Sequence, residues 1–146
     1  MKNHALKALT TLTFLTALTV TSAFGQTAPR VRANIPFQFS VGNQTIAAGK
    51  CTIKRLGTSN IVVTSDNRDV AIMATNALAS KDVSKTRLVF HKYGDSYFLA
   101  QIWTAGSQVG IELLQSRVER ALIKSLKDHH LAMYGATPEL VTVLVD

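Results

Sequence analysis

Cysteine is almost absent from this chain, whose 146 residues include only Cys51. A single thiol cannot form an internal disulfide, so a disulfide-stabilised small domain is excluded. No apolar run reaches the roughly 20 residues that a membrane-spanning helix needs. The sequence also lacks internal repeats, a coiled-coil pattern and any spacing that predicts a catalytic or metal-binding site. We therefore predict no catalytic residues, no metal and no cofactor.

The N-terminal segment has the three regions of a secretory signal peptide. A positively charged start precedes an uncharged apolar stretch from Ala8 to Val20, and Ala23 and Gly25 occupy the −3 and −1 positions of a cleavage site. We predict a signal peptide at residues 1–25 and a single β-rich domain at residues 26–146. The expected location is the periplasm or the extracellular space, and the protein is not expected to span a membrane.

Acidic residues are fewer than basic ones, 9 against 16, which gives a formal charge of +7. Removal of the leader with Lys2 and Lys7 lowers this charge to +5. A moderately basic domain can bind anionic surfaces. Nucleic acid is not an expected partner, because the predicted location is the periplasm or the extracellular space. The sequence also has no motif of aromatic and basic residues that would stack on bases.

Alternating apolar residues predict a succession of short strands. Every odd position of residues 31–41 is apolar, which predicts one eleven-residue strand with Pro36 at an edge or a bulge. Residues 76–84 are predicted to be a connection. A three-strand meander should follow over residues 85–114, with Phe90 and Trp103 in the core. Simple alternation along its middle strand places Leu99 and Trp103 on the same face.

The pattern changes to helical spacing after residue 116. Ser116 and Glu119 fit a capping box that begins a helix near 117–133, and Val118, Leu122 and Leu126 should pack against the sheet. Residues 139–146 are β-prone and predict either an added strand or a frayed tail. Together these patterns predict an all-β fold, a mostly antiparallel sandwich or partly open barrel of about seven to eight strands, with one C-terminal α-helix.

Five segments of the chain carry a family resemblance: residues 35–42 (IPFQFSVG), 47–53 (AAGKCTI), 88–94 (LVFHKYG), 97–103 (YFLAQIW) and 116–120 (SRVER). They resemble a group of small exported proteins of the acidobacterial type. The resemblance implies export and a β-rich domain, and it implies no particular activity. A tyrosine often stands in that pattern where this chain has Cys51.

Three polar features each allow a chemical and a structural interpretation. Cys51 alternates with Ile53 on a strand, which favours a buried small side chain over a nucleophile. His91 and Asp95 flank a hairpin turn, where a surface histidine is a simpler interpretation than an acid–base pair or a metal site with a third ligand. The pair at residues 129–130, two histidines, would add favourable charge near the C-terminal end of the helix.

The predicted binding residues are four cations on the C-terminal helix, Arg117, Arg120, Lys124 and Lys127. They share an arc of about 80° at 100° per residue. The first hypothesis is an exported, non-catalytic envelope or extracellular domain that binds a protein or an anionic surface polymer. The alternative is a small-ligand, lipid-like carrier with a barrel cavity, and an enzyme of unknown type is third. The expected partner is an anionic envelope surface or another envelope protein.

Overall fold

The computed structural model describes residues 30–57, 59–65, 68–82, 84–128 and 137–145. In these residues it is mostly β-strand with one α-helix near the C-terminus, as predicted, although ten strands form where seven or eight were expected. The predicted signal peptide, residues 129–133 of the predicted helix and the histidines at 129–130 lie outside the described residues. The elements in chain order are β1 (Arg30–Ile35), β2 (Phe39–Val41), β3 (Gln44–Ile46), β4 (Gly49–Leu56), β5 (Asn60–Ser65), β6 (Arg68–Ala79), β7 (Thr86–Tyr93), β8 (Ser96–Trp103), β9 (Val109–Leu113), α1 (Arg117–Asp128) and β10 (Glu139–Val145).

The strands form one folded sheet with the order β1-β4-β5-β6-β9-β8-β2-β3, and β7 joins β8 to β10. All pairs are antiparallel except a short parallel contact of β2 with β8. The long strand β6 connects two groups, because its first half pairs with β5 and its second half with β9. Among the described residues no ladder joins β1 to β10, so the sheet is not a closed barrel. Both groups contribute to a single hydrophobic core.

The prediction of one continuous eleven-residue strand at residues 31–41 is wrong. It divides at Pro36 into β1, which pairs with β4, and β2, which pairs with β3 and β8. Proline has no N–H to donate to a ladder, so the chain leaves one group of strands there and enters the other. The alternation itself is retained on both sides, and Ile35, Phe39 and Val41 are fully enclosed.

The middle strand of the meander does not keep simple alternation. Val89 pairs with Gln101 and Phe90 pairs with Leu99, so Ala100 is an extra residue in β8. A bulge of this kind exchanges the two faces of a strand beyond it. Leu99 therefore joins the main core while Trp103 does not, which corrects the prediction that they share a face. Phe90 and Trp103 are nevertheless both buried, as predicted.

Two further segments differ from or extend the sequence prediction. The predicted connection at residues 76–84 begins as strand, because β6 continues to Ala79 and pairs there with Val109. The β-prone C-terminal segment is an added strand, since β10 pairs with β7 over its whole length. An ion pair of 2.9 Å between Lys92 and Glu139 joins these two strands at one end.

Candidate binding surface on the C-terminal helix

The helix α1 begins at a cap that the sequence predicts. The amide of Glu119 donates to the Ser116 hydroxyl at 3.0 Å, which satisfies one of the free N–H groups of the first turn. A second free amide, that of Arg117, donates at 3.2 Å to the side-chain oxygen of Asn43 in the β2–β3 turn. The start of α1 is therefore fixed both by its own residues and by the sheet.

The carboxylate of Glu119 is the most buried group of α1 and attaches the helix to β7. Glu119 is 4% exposed, and its Oε1 lies 2.8 Å from His91 Nδ1 and 3.2 Å from the Tyr93 hydroxyl. A carboxylate oxygen accepts, so both partners donate to it. Glu119 thus does not complete the predicted capping box by returning to the Ser116 amide. His91 also has a partner that the hairpin-turn interpretation missed, because it binds Glu119 and not Asp95.

The phenol of Tyr93 is held in its neutral form by this arrangement. Burial, the charge of Glu119 and the hydrogen bond to that carboxylate raise the pKa of Tyr93 to about 12. A neutral phenol keeps the proton that it donates to Glu119. Together Glu119, His91 and Tyr93 form what we call the helix clamp.

The sequence contains one signal from which the helix clamp could have been predicted. Glu119 precedes Leu122 by three positions and Leu126 by seven, which places a carboxylate on the apolar face of the helix. Leu122, Ile123 and Leu126 are half-buried, as helical spacing requires. Val118 was also predicted to pack against the sheet. It is 49% exposed instead, because Glu119 and not Val118 faces the sheet.

The four predicted binding residues all lie on the exposed side of α1. Their spacing places them along one side of the helix, roughly 120° around the axis from Glu119. The helix clamp therefore determines which way they point. The four exposed cations are Arg117, Arg120, Lys124 and Lys127.

The remaining candidates from the sequence do not form a second site. Cys51 is buried on β4, and burial raises the pKa of its thiol, which opposes formation of a nucleophilic thiolate. Among the described residues, no group of three or more histidine, cysteine or carboxylate side chains is arranged to hold a metal ion. In the same part of the chain, no helix combines the length and hydropathy required to cross a bilayer.

Comparisons with protein-family models, with curated proteins and with solved structures found no match to this chain.

Proposed function

We propose that this protein is an exported, non-catalytic domain that binds an anionic polymer of the cell surface through the basic side of α1. The observation that carries the proposal is the exposure of four cations on one side of a helix that the buried Glu119 fixes against β7. Cations held in one orientation present a continuous positive surface to an anionic partner.

The absence of nearby anions strengthens this proposal. Within the described residues, no salt bridge within 4.0 Å joins the side chains of the four cations to a carboxylate. Their charge is therefore not neutralised within the described part of the fold. Each lysine near an anionic surface contributes on the order of 1 kcal/mol to binding, so several together give a measurable affinity that salt weakens.

The interior favours a binding module over a lipid-like carrier. Pockets that enclose drug-sized ligands have volumes of about 300–1,000 Å³. The cavity bounded by the inward faces of β1, β4, β5, β8 and β9 has a volume of about 120 Å³. Large side chains, including Phe39 and Phe90, fill the core elsewhere. A lipid-sized ligand would therefore not fit in this cavity unless the core opened.

Charge reversal on α1 tests the proposal. The variant carries Lys124→Glu and Lys127→Glu, and binding is measured to polygalacturonate beads and to vesicles of phosphatidylglycerol and phosphatidylcholine. Loss of two lysine contacts alone should weaken binding about 30-fold at low salt. The two anions separate a polysaccharide partner from a lipid surface.

A matched control reverses two exposed lysines elsewhere, Lys50→Glu and Lys81→Glu. This protein has the same net charge as the α1 variant, and its binding should fall much less. Equal loss in both proteins would show that only net charge matters. No binding by the wild type to either anion would overturn the proposal.

A further inference from the structure

The strand β10 has one paired edge and one open edge. It pairs with β7 over all seven of its residues, and within the described ranges no strand pairs with its other side. β1 lies beside it without forming a ladder, and a groove of about 360 Å³ lies between the start of β1 and Val145 at the end of β10. One row of backbone N–H and C=O groups along β10 therefore has no partner strand, which makes this edge a template for pairing with another chain.

The open edge of β10 lacks the features that protect the other edges of the sheet. Charged residues, proline or a very short strand discourage an edge from pairing with another chain. β1 has Arg30 and Arg32 on its exposed side and is followed by Pro36, and β3 has only three residues. β10 is seven residues long, and its one charged residue, Glu139, is already paired with Lys92. The strand itself therefore contains nothing that opposes pairing.

The sequence of β10 is symmetric about Thr142. Residues 140–144 read LVTVL in either direction. If two copies of β10 pair in antiparallel fashion with Thr142 facing itself, Leu140 of one copy lies opposite Leu144 of the other. On the other face of the strand, Val141 lies opposite Val143. Directly opposite apolar side chains stabilise an antiparallel pair, so a second copy of this strand satisfies both faces at once.

The side chains that such a pairing would cover are exposed in the single chain. Leu140 is 61% exposed and Leu144 is 56% exposed. Their partners on β7 are His91 and Arg87, so the two leucines lie on the outer face of the sheet. The valines of β10 are on the opposite face and pack against the hydrophobic core. Pairing of two copies would bring four leucines together on the outer face and continue the row of valines on the inner one.

We propose that β10 joins two copies of this chain edge to edge, in a two-fold symmetric dimer centred on Thr142. A self-complementary contact of this kind closes at two copies, because each open edge is used once. The two-fold axis is perpendicular to the sheet, so both copies of α1, which contact β7 through His91 and Tyr93, lie on the same face of the joined sheet. The inference does not rest on the proposed function of α1, because the pairing involves residues of β10 alone.

Analytical ultracentrifugation over a range of protein concentrations tests the dimer. The wild type should show a monomer–dimer equilibrium, with no larger species. Leu140→Lys with Leu144→Lys should raise the dissociation constant at least about tenfold, because lysines then face each other across the seam. Leu56→Lys with Leu114→Lys is the matched control, since it replaces two equally exposed leucines elsewhere with the same change in charge and should dimerise like the wild type. A wild type with the mass of one chain at every concentration would overturn the proposal and leave the edge to a different protein.

Disulfide cross-linking tests the register, with Cys51→Ala as the background because Cys51 is the one native thiol. Thr142→Cys should cross-link two copies under mild oxidation, because facing Cα atoms of an antiparallel pair are about 4.5–5.5 Å apart, a distance that a disulfide spans. Leu140→Cys should not, because in this register the two copies of position 140 are about 14 Å apart along the strands. Thr45→Cys, at an exposed threonine of the edge strand β3, is the control. Cross-linking from Leu140 or Thr45 as efficient as that from Thr142 would overturn the symmetric pairing.

Discussion

The contact of Gly110 with Trp103 shows how one missing side chain shapes the outer face of the sheet. A Cβ atom at Gly110 would lie 2.5 Å from Trp103 Cε3, so the indole occupies the space that any other residue would need. The indole is held in place by a 3.0 Å hydrogen bond from its Nε1 to Gln101 and by Arg87, whose guanidinium lies 4.9 Å from the ring centroid. Glycine is required here for space, not for backbone freedom.

We predict that Gly110→Ala lowers the free energy of unfolding by about 1–3 kcal/mol, because the added methyl group overpacks the indole. Trp103→Ala should cost about 3–5 kcal/mol, since it leaves a cavity. The double variant should cost less than the sum of the two, because the methyl group then has room. Urea unfolding followed by circular dichroism measures all three. Additive costs would show that Gly110 is needed for another reason.

Tyr93 gives a pH dependence whose sign follows from its environment. Its pKa is about 12 in the folded protein and about 10 when the phenol is free in the unfolded chain. The neutral phenol is therefore favoured by folding, and its stabilising contribution is complete below pH 10. That contribution is lost as the pH rises from 10 towards 12.

We predict that wild-type stability falls more steeply than that of Tyr93→Phe between pH 10 and pH 11.5. The difference should approach about 2 kcal/mol, since two pKa units correspond to about 2.7 kcal/mol when fully expressed. Subtracting the variant removes the contribution of the lysines that titrate in the same range. Parallel stability curves for the two proteins would contradict the buried, neutral role of Tyr93.

At the scale of elements, local patterns predicted most strands and the start of the helix. Alternation identified the inward residues of β1, β2 and β4 because one face of each is buried. The patterns failed where a single residue changes the geometry. Pro36 divides a strand, and Ala100 reverses the faces of β8. Alternation alone does not reveal whether an apolar residue such as Ala100 is paired or bulged.

The cap of α1 is a prediction at this scale. Ser116→Ala should destabilise the helix by about 1 kcal/mol, because the Glu119 amide loses its acceptor. Ser125→Ala is the matched control, since it makes the same change at an exposed interior position of the same helix and should be neutral or slightly stabilising. Hydrogen exchange of the α1 amides measures the effect of both substitutions on the stability of the helix. A similar effect of the two substitutions would mean that Ser116 acts only through helix propensity.

At the scale of the whole molecule, the order of the strands could not be read from the sequence. Neighbours such as β6 and β9, or β7 and β10, are separated by long stretches of chain, and their pairing depends on how whole faces fit together. The basic side of α1 was easier to predict, because the four cations recur at helical spacing. The cavity was not predicted, because it arises where two groups of strands meet around a bulge.

This architecture makes α1 the part that should open first. The strands β7 and β8 are buried along much of their length, whereas Glu119 is the only buried residue of α1. Local opening requires less free energy where few groups leave a buried environment. The helix clamp should therefore set the stability of α1 separately from that of the sheet.

We predict two levels of protection in native-state hydrogen exchange. Amides of β8 should exchange only on global unfolding, and those of α1 should exchange through an opening of lower free energy. Glu119→Ala should lower the α1 value by about 1–3 kcal/mol, because His91 and Tyr93 lose their acceptor, and it should leave the β8 value much less affected. Asp128→Ala, which removes an exposed carboxylate from the same helix, should leave both values nearly unchanged. If α1 and β8 exchanged with one common free energy in the wild type, the helix would be an integral part of the β core and not an element attached through one buried carboxylate.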